Sequence, residues 1–376
     1  MRIGILAYRQ SPYISANTSI AYTIGIQLAK TEEVIFIGRK QDKKQKDGAL
    51  YEGIRVLYLN QEPIEHNSTI TAYLERLNLF SLAHWKDILS LEKIIKNEVL
   101  DVLICITAPN EDAYIAMSAR LHIPIYIYQL DPFYNYGDIE NRRLKQLFIN
   151  YLKRVNHIFT TQLLIDEYRL DHEISHYLKK ISMVQFPKLK ETKHIEKQAG
   201  LGTTLLYSGS LYGDRKPDFL INLSKCLPDN CKIVFCGICK NDYEIDFLKN
   251  NGIVCKGYCS QRVLEEEIGQ ADFLINIGNT VKNQLPSKVI EYIATGKPII
   301  NLSQIDDCSS MRVLQNYELF LNIDAKCISE NKEIIRNYIS ESIGRTIPWE
   351  KIKEQYREYT PEYVANTILS VIKSAY

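Results

Sequence analysis

No run of uninterrupted apolar residues in this 376-residue chain approaches the length of a membrane span. The longest, such as Ile123 to Tyr128, fall far below the ~18 residues that a spanning helix needs. Charge of one sign is equally scarce. Lysine plus arginine, 46 residues, nearly cancels aspartate plus glutamate, 45 residues, and no basic and aromatic stripe appears. Nothing in the charge therefore points to nucleic acid. The apolar run in Met1-Arg2-Ile3-Gly4-Ile5-Leu6-Ala7-Tyr8 is too short for a signal peptide and reads as a buried first strand. With no secretory leader, an odd count of nine cysteines implies reduced thiols and a cytoplasmic setting. Cys236-Gly-Ile-Cys239, with Cys255 and Cys259, raises a zinc question. Their place at strand ends favours packing, and no metal is expected.

The length suggests two domains, since a typical domain holds ~150 residues. Apolar strands alternate with helical stretches almost without interruption, the pattern of parallel sheets covered by helices. The predicted strands of the first half lie near Ile3 to Ala7, Val34 to Ile37, Val102 to Thr107, Ile125 to Tyr128, His157 to Thr160 and Ile181 to Val184. A polar, lysine-rich stretch from Pro187 to Gly202 has the composition of a linker. A second series follows at Leu205 to Ser208, Ile233 to Cys236, Gly252 to Lys256, Phe273 to Asn276 and Pro298 to Asn301. The segment from Trp349 to Tyr376 reads as two helices. The expected division is 1–186, 187–355 and a terminal segment 356–376, in an α/β chain with two Rossmann-like domains.

The most specific stretch is Gln284 to Ile300. Pro286 suits the first turn of a helix, where amides can receive an anion, and Ser287 and Lys288 put a hydroxyl and a cation beside it. Val289, Ile290, Ile293 and Ala294 recur at helical spacing, and Gly296 fits a C-terminal cap before a new strand. Glu291 is the lone acid of that helix. A lysine at the first turn is not explained by helix punctuation, because the dipole disfavours cations there.

Pro-Ser-Lys, then Glu-Tyr, then Gly-Lys-Pro resembles the nucleotide-sugar signature of GT-B glycosyltransferases, especially the bacterial group similar to family 4. The resemblance implies two Rossmann-like domains facing each other across a cleft, with the terminal helix crossing back to the first domain. It implies a metal-independent hexosyltransferase that takes a nucleotide-diphosphate sugar, UDP-linked, and acts on a saccharide or lipid-linked glycan acceptor in bacterial cell-surface polysaccharide synthesis, with retention. No cofactor is implied. Donor contacts would come from Pro286, Ser287, Lys288, Val289 and Glu291, with Glu291 on the ribose.

Further donor contacts are expected at the carboxyl ends of the second domain's strands. Gly209 and Ser210 lie in the first loop, and Arg215, then Lys216, would grip the diphosphate. Gly257 and Tyr258 resemble the turn that frames the base. The family's first glutamate falls at Asn283, which keeps hydrogen bonding but lacks the charge, leaving donor sugar and stereochemistry open. Asn279 is expected near the sugar. In the first domain, Ser15, Asn17 and Thr18 follow strand one and could cap the next helix and touch ligand. Asp131, after a buried strand, is expected to bind the acceptor hydroxyl or act as general base. Arg215, Lys288, Asn283 and Asp131 are the candidate catalytic groups.

Basic residues at Arg39-Lys40, Lys43, Lys44 and Lys46, and at Arg142, Arg143, Lys145, Lys153 and Arg154, suggest peripheral membrane contact at the inner face. Two rival readings stand beside transfer. A non-catalytic GT-B-like partner or binding subunit is favoured by Asn283 and by the missing glycine turn after strand one. A UDP-sugar 2-epimerase would need cleft acids and histidines, and few histidines lie near the predicted strand ends.

Overall fold

A computed structural model of the chain describes residues 1–9, 16–40, 49–59, 73–74, 79–107, 111–136, 139–192 and 202–375. The chain divides into two compact units, Met1–Pro187 with Glu358–Tyr376, and Lys188–Arg357.

In the first unit the strands are β1 (Arg2–Arg9), β2 (Glu33–Arg39), β3 (Ala49–Tyr51), β4 (Ile54–Tyr58), β5 (Val102–Thr107) and β6 (Ile125–Gln129), then a two-stranded ribbon of β7 (Asn135–Tyr136) and β8 (Ile139–Glu140), then β9 (His157–Thr160) and β10 (Ile181–Met183). The sheet runs β10-β9-β6-β5-β1-β2-β4-β3. It is parallel except for β3, which pairs antiparallel with β4. Every residue of β5 and β6 is buried, as expected for strands covered on both faces. β4 alternates instead, with Ile54, Val56 and Tyr58 buried. The sequence reading missed it because a five-residue strand beside a hairpin is too short for its alternation to stand out.

The second unit carries β11 (Thr203–Ser208), β12 (Cys231–Cys236), β13 (Val254–Gly257), β14 (Phe273–Ile277), β15 (Ile299–Ser303) and β16 (Phe320–Asp324). They form one parallel sheet in the order β13-β12-β11-β14-β15-β16. Both sheets thus answer to the alternating pattern of the sequence. The chain winds outward from β11 through β12 to β13, then returns to lay β14 against the other side of β11. Strand order reverses between β11 and β14, and in open α/β sheets ligands collect at the carboxyl ends of the strands at such a point. The first unit has the equivalent reversal between β1 and β5, whose following loops, 10–15 and 108–110, lie outside the described residues.

β16 was also missed. Its Asn322 belongs to a polar ladder across three strands, where Asn276, Asn301 and Asn322 are in register. The Asn276 amide donates to Asn301 Oδ1 at 2.6 Å and to Ser310 Oγ at 3.1 Å, and the Asn301 amide donates to Asn322 Oδ1 at 2.6 Å. β16 is a half-buried edge strand, so its apolar pattern is weak, and in the sheet each amide hydrogen-bonds its neighbour.

The last helix, Pro361–Ser374, belongs to the first unit. The Thr360 side chain caps it by accepting from the Tyr363 amide at 3.3 Å, and Pro361 fills the first position. Val364, Ala365, Ile368 and Ile372 form its buried stripe, and the helix packs on Ala16–Leu28. Lys373 bridges Glu32 at 2.6 Å, and the same carboxylate takes the N-terminal amine at 2.9 Å. The hydrogen bond from Lys373, outweighing burial, holds the Glu32 carboxyl below its ordinary range.

Asn301→Ala should lower the stability of the second unit by about 1–3 kcal/mol, because the buried Asn276 amide keeps only Ser310 and the half-buried Asn322 carbonyl loses its donor. Chemical denaturation followed by tryptophan and far-UV signals measures this. An unchanged midpoint would contradict the ladder.

Candidate functional site

The stretch singled out in the sequence builds a shorter helix than expected, Lys288–Ile293. Pro286 lies ahead of it and Ser287 is the N-cap residue, with no side-chain cap bond. The Val289 amide donates to the Pro286 carbonyl at 3.1 Å and the Ile290 amide to the Ser287 carbonyl at 3.2 Å, so the chain enters through a tight turn. The Val289 amide is thus engaged in the turn, and its side chain is fully buried. Val289, Ile290 and Ile293 each contribute ~1.5–3 kcal/mol of apolar burial, which anchors so short a helix where propensity cannot. Gly296 does end the segment, with φ of +72° and a position where a Cβ would meet the Ile347 carbonyl at 2.3 Å.

Tyr292, which the sequence reading passed over, ties the helix to the sheet. Its hydroxyl accepts from the Ser208 amide at 3.0 Å and lies 2.9 Å from Ser208 Oγ, at the carboxyl end of β11. Burial pushes this phenol up to about 12 despite those bonds. The neighbouring Glu291 is 32 % exposed and faces two lysines: Lys188 Nζ at 3.1 Å from Oε1, and Lys288 Nζ at 3.7 Å from Oε2. Burial raises the affinity of Glu291 for a proton, but Lys188 first, then Lys288 and Lys190, reverse the sign and hold its carboxyl below the ordinary range. The odd cation at the helix start is thus partly offset by an acid one turn on. Lys188 comes from the stretch read as linker, where composition gave no hint of a partner so distant in sequence.

The two loops at the reversal of strand order meet. Arg215, after β11, donates to Asn279 Oδ1 at 2.5 Å, and Asn279 donates to the Gln284 carbonyl at 2.9 Å. Ser309 Oγ donates to the same carbonyl at 2.7 Å, and Thr280 donates to Asp214 at 2.5 Å. Asn283 is buried in this loop. Lys216 is exposed just before the helix Pro217–Cys226. Gly209 and Ser210 are half-buried at the end of β11, and the Ser210 carbonyl accepts from Tyr207 at 3.3 Å.

The zinc question resolves differently. A Cβ on Gly237 would meet the Gly209 carbonyl at 1.7 Å, so the glycine inside Cys-Gly-Ile-Cys lets two loop backbones touch. The Gly237 amide donates to the Gly257 carbonyl at 2.8 Å, continuing the contact to the end of β13, where Tyr258 stands 75 % exposed. Burial, with a hydrogen bond to Cys259, pushes the Cys236 thiol up to about 12, and burial pushes Cys239 up to about 11. Among the described residues no three His, Cys, Asp or Glu side chains are grouped to hold a metal ion.

In the first unit, Asp131 follows β6, one strand from the reversal, and is half-buried. The buried Gln129 amide donates to the Asp131 carbonyl at 3.0 Å and to the Tyr168 hydroxyl at 2.7 Å, which fixes the turn. Asn17 and Thr18 stand inside the helix Ala16–Leu28 rather than at its cap, and Thr18 is buried. Ser15 lies outside the described residues, as do Lys43, Lys44 and Lys46. Several of the described basic residues are engaged within the first unit, while Arg142, Arg143 and Lys153 are exposed. Arg39 lies 3.6 Å from Asp87, Lys40 is buried over the Tyr58 ring, Lys145 bridges Asp171 at 2.8 Å and Glu173 at 3.1 Å, and Arg154 donates to the carbonyls of Met117 and Ala119.

No family model and no curated protein matches the chain. Solved structures do. The sucrose-phosphate synthase (tll1590) from Thermosynechococcus elongatus superposes with a TM-score of 0.74 at 11 % identity, covering 100 % of this chain and 98 % of that one. The Anabaena protein Alr3699/HepE, solved with UDP and glucose, gives 0.67 at 10 % identity over 100 % of both chains. The lipopolysaccharide outer core galactosyltransferase WaaB gives 0.63 at 13 % identity, again over 100 % of both. The fold is GT-B. At these identities the likeness concerns the fold, and the two Rossmann-like units with a terminal helix returned to the first are its GT-B elements. No helix among the described residues is long and apolar enough to cross a membrane.

Because the folded carboxyl of Glu291 titrates below its unfolded value of ~4.3, its contribution to stability is present above that pH and fades as pH falls through the lowered folded value. Glu291→Gln should therefore be less stable than the parent at neutral pH, and the difference should shrink under acid. Melting curves across pH check this, and a difference that grows toward low pH would contradict the assigned sign.

Proposed function

We propose that the chain is a glycosyltransferase that moves a sugar from a UDP-sugar to a saccharide or lipid-linked saccharide acceptor in bacterial cell-surface polysaccharide synthesis, with retention of configuration. The observation that carries the reading is the Lys288–Glu291 pair on a helix pinned to the end of β11, beside the Arg215–Asn279 contact at the reversal of strand order. A carboxylate held ionised suits a ribose diol, which donates two hydrogen bonds. Arg215, Lys216, Lys288 and the amides of Ser287 and Lys288 suit a diphosphate, whose charge grows as the sugar departs. Electrostatic stabilisation of that charge is the largest expected contribution to rate, and it needs no metal in this scheme. HepE, with the same fold, was solved with UDP and with UDP-glucose, which supports a UDP-linked donor.

Gly257 and Tyr258 would frame the base, Gly209, Ser210 and Asn279 would lie toward phosphate and sugar, and Asp131 would bind the acceptor hydroxyl, or take its proton if transfer inverts. A second reading, a binding subunit without transfer, draws on Asn283, a buried amide where the family's glutamate is expected. Release of UDP from a panel of UDP-sugars, with and without acceptor, separates the two. Glu291→Ala should weaken UDP binding by about tenfold or more while the fold persists, the order expected for lost charge-assisted hydrogen bonds. Unchanged affinity by calorimetry would sink the assignment.

Peripheral membrane contact, at the cytoplasmic face, belongs to the same proposal, and a further exposed patch supports it. Leu82, Trp85 and Leu89, spaced along the helices Phe80–Ala83 and Trp85–Glu98, are each more than half exposed, and Lys86, Lys93 and Lys96 are exposed beside them. Glu92 and Glu98 on the same helix are engaged, by the Arg120 amide and by Arg55. An apolar stripe with Trp and flanking lysines suits an anionic lipid surface. Trp85→Ser combined with Leu89→Ser should reduce sedimentation with phosphatidylglycerol vesicles, and undiminished sedimentation of the double variant would refute this face.

A further inference from the structure

Lys188 is the first residue of the second unit, in the segment Lys188-Leu189-Lys190. Leu189 is buried while Lys190 is exposed, and Lys188 keeps only 11 % of its side chain exposed. Leu189 is buried between two lysines whose charges both act on Glu291. The Lys188 ammonium reaches Glu291 Oε1 at 3.1 Å, while Lys288 lies at 3.7 Å from Oε2.

We propose that Lys188 is a positioning residue of the nucleotide site, holding the Glu291 carboxylate in the orientation that receives a ribose diol. The inference rests on the donor reading above. Each carboxylate oxygen has two lone-pair directions, so one lysine per oxygen leaves one direction on each for a hydroxyl. Lys288 shares a helix with Glu291, lies 3.7 Å from Oε2 and reaches the carboxylate from one side only. Lys188 approaches from another segment and supplies the missing constraint. The groups facing Glu291 are Lys188 and Lys190 from that segment, Lys288 from its own helix, and the Tyr292 hydroxyl next to it. Without Lys188, burial regains weight, and the carboxyl takes up a proton at higher pH.

The test compares affinity for UDP and for 2′-deoxy-UDP by calorimetry, across pH ~5 to 8, in the parent chain, Lys188→Met and Lys188→Arg. The parent should prefer UDP at every pH. Lys188→Met should bind UDP about tenfold more weakly, the order that a charge-assisted hydrogen bond carries, and lose further affinity as pH falls. Its preference over the deoxy nucleotide should shrink, and Lys188→Arg should restore both. If Lys188→Met does not fold, Lys188→Gln serves in the same comparison. A variant that keeps the parental preference and pH profile overturns the inference. A parent that binds neither nucleotide overturns the donor reading beneath it, and this inference with it.

Discussion

The bond between the Tyr292 hydroxyl and Ser208 is the constraint on which the candidate site depends. A six-residue helix has too few internal hydrogen bonds to hold its own position, and its macrodipole is small. Position comes instead from the buried side, where Val289, Ile290 and Ile293 fill the core and Tyr292 reaches the backbone of β11. With that side fixed, Lys288 and Glu291 have one place to go, on the partly exposed side beside the carboxyl end of the sheet. The charges of the site are therefore set by apolar packing and one buried phenol.

Close backbone approach does the same for the loops. Gly237 lets the loop after β12 touch the loop after β11, and the contact passes on to Gly257. On the other side of β11, Asn279 links Arg215 to the stretch that leads into the helix. The asparagine ladder behind these loops fixes the register of β14, β15 and β16, because a slip of one residue would turn every amide away from its partner. Polar groups that are individually costly to bury thus act as alignment pins for the strands whose ends carry the site.

Much of the fold was legible because parallel strands covered on both faces read as continuous apolar runs, and β5, β6, β11 and β14 are of that kind. β4 and β16 escaped because neither is fully covered: β4 alternates near the margin of its sheet, and β16 is a half-buried edge strand. The helix around Glu291 was legible from its punctuation, but its start was placed too early, since Pro286 and Ser287 form a turn ahead of it. Val289 entered the contact list only through the resemblance, and in the structure its side chain belongs to the core. Gly237 was passed over because the cysteines around it were weighed only between packing and metal. Lys188 could not have been found from composition, because a lysine-rich stretch looks the same whether its ammonium groups meet water or a carboxylate.

The central claim is that the carboxyl ends of β11 and β14, with the helix Lys288–Ile293, form the nucleotide end of a glycosyltransferase site. A crystal structure of the chain with UDP tests it most directly. The account predicts the ribose diol within hydrogen-bond distance of Glu291 and the diphosphate against Arg215 and Lys288. A nucleotide seated elsewhere, with Glu291 still closed between Lys188 and Lys288 and no contact to ribose, would contradict it.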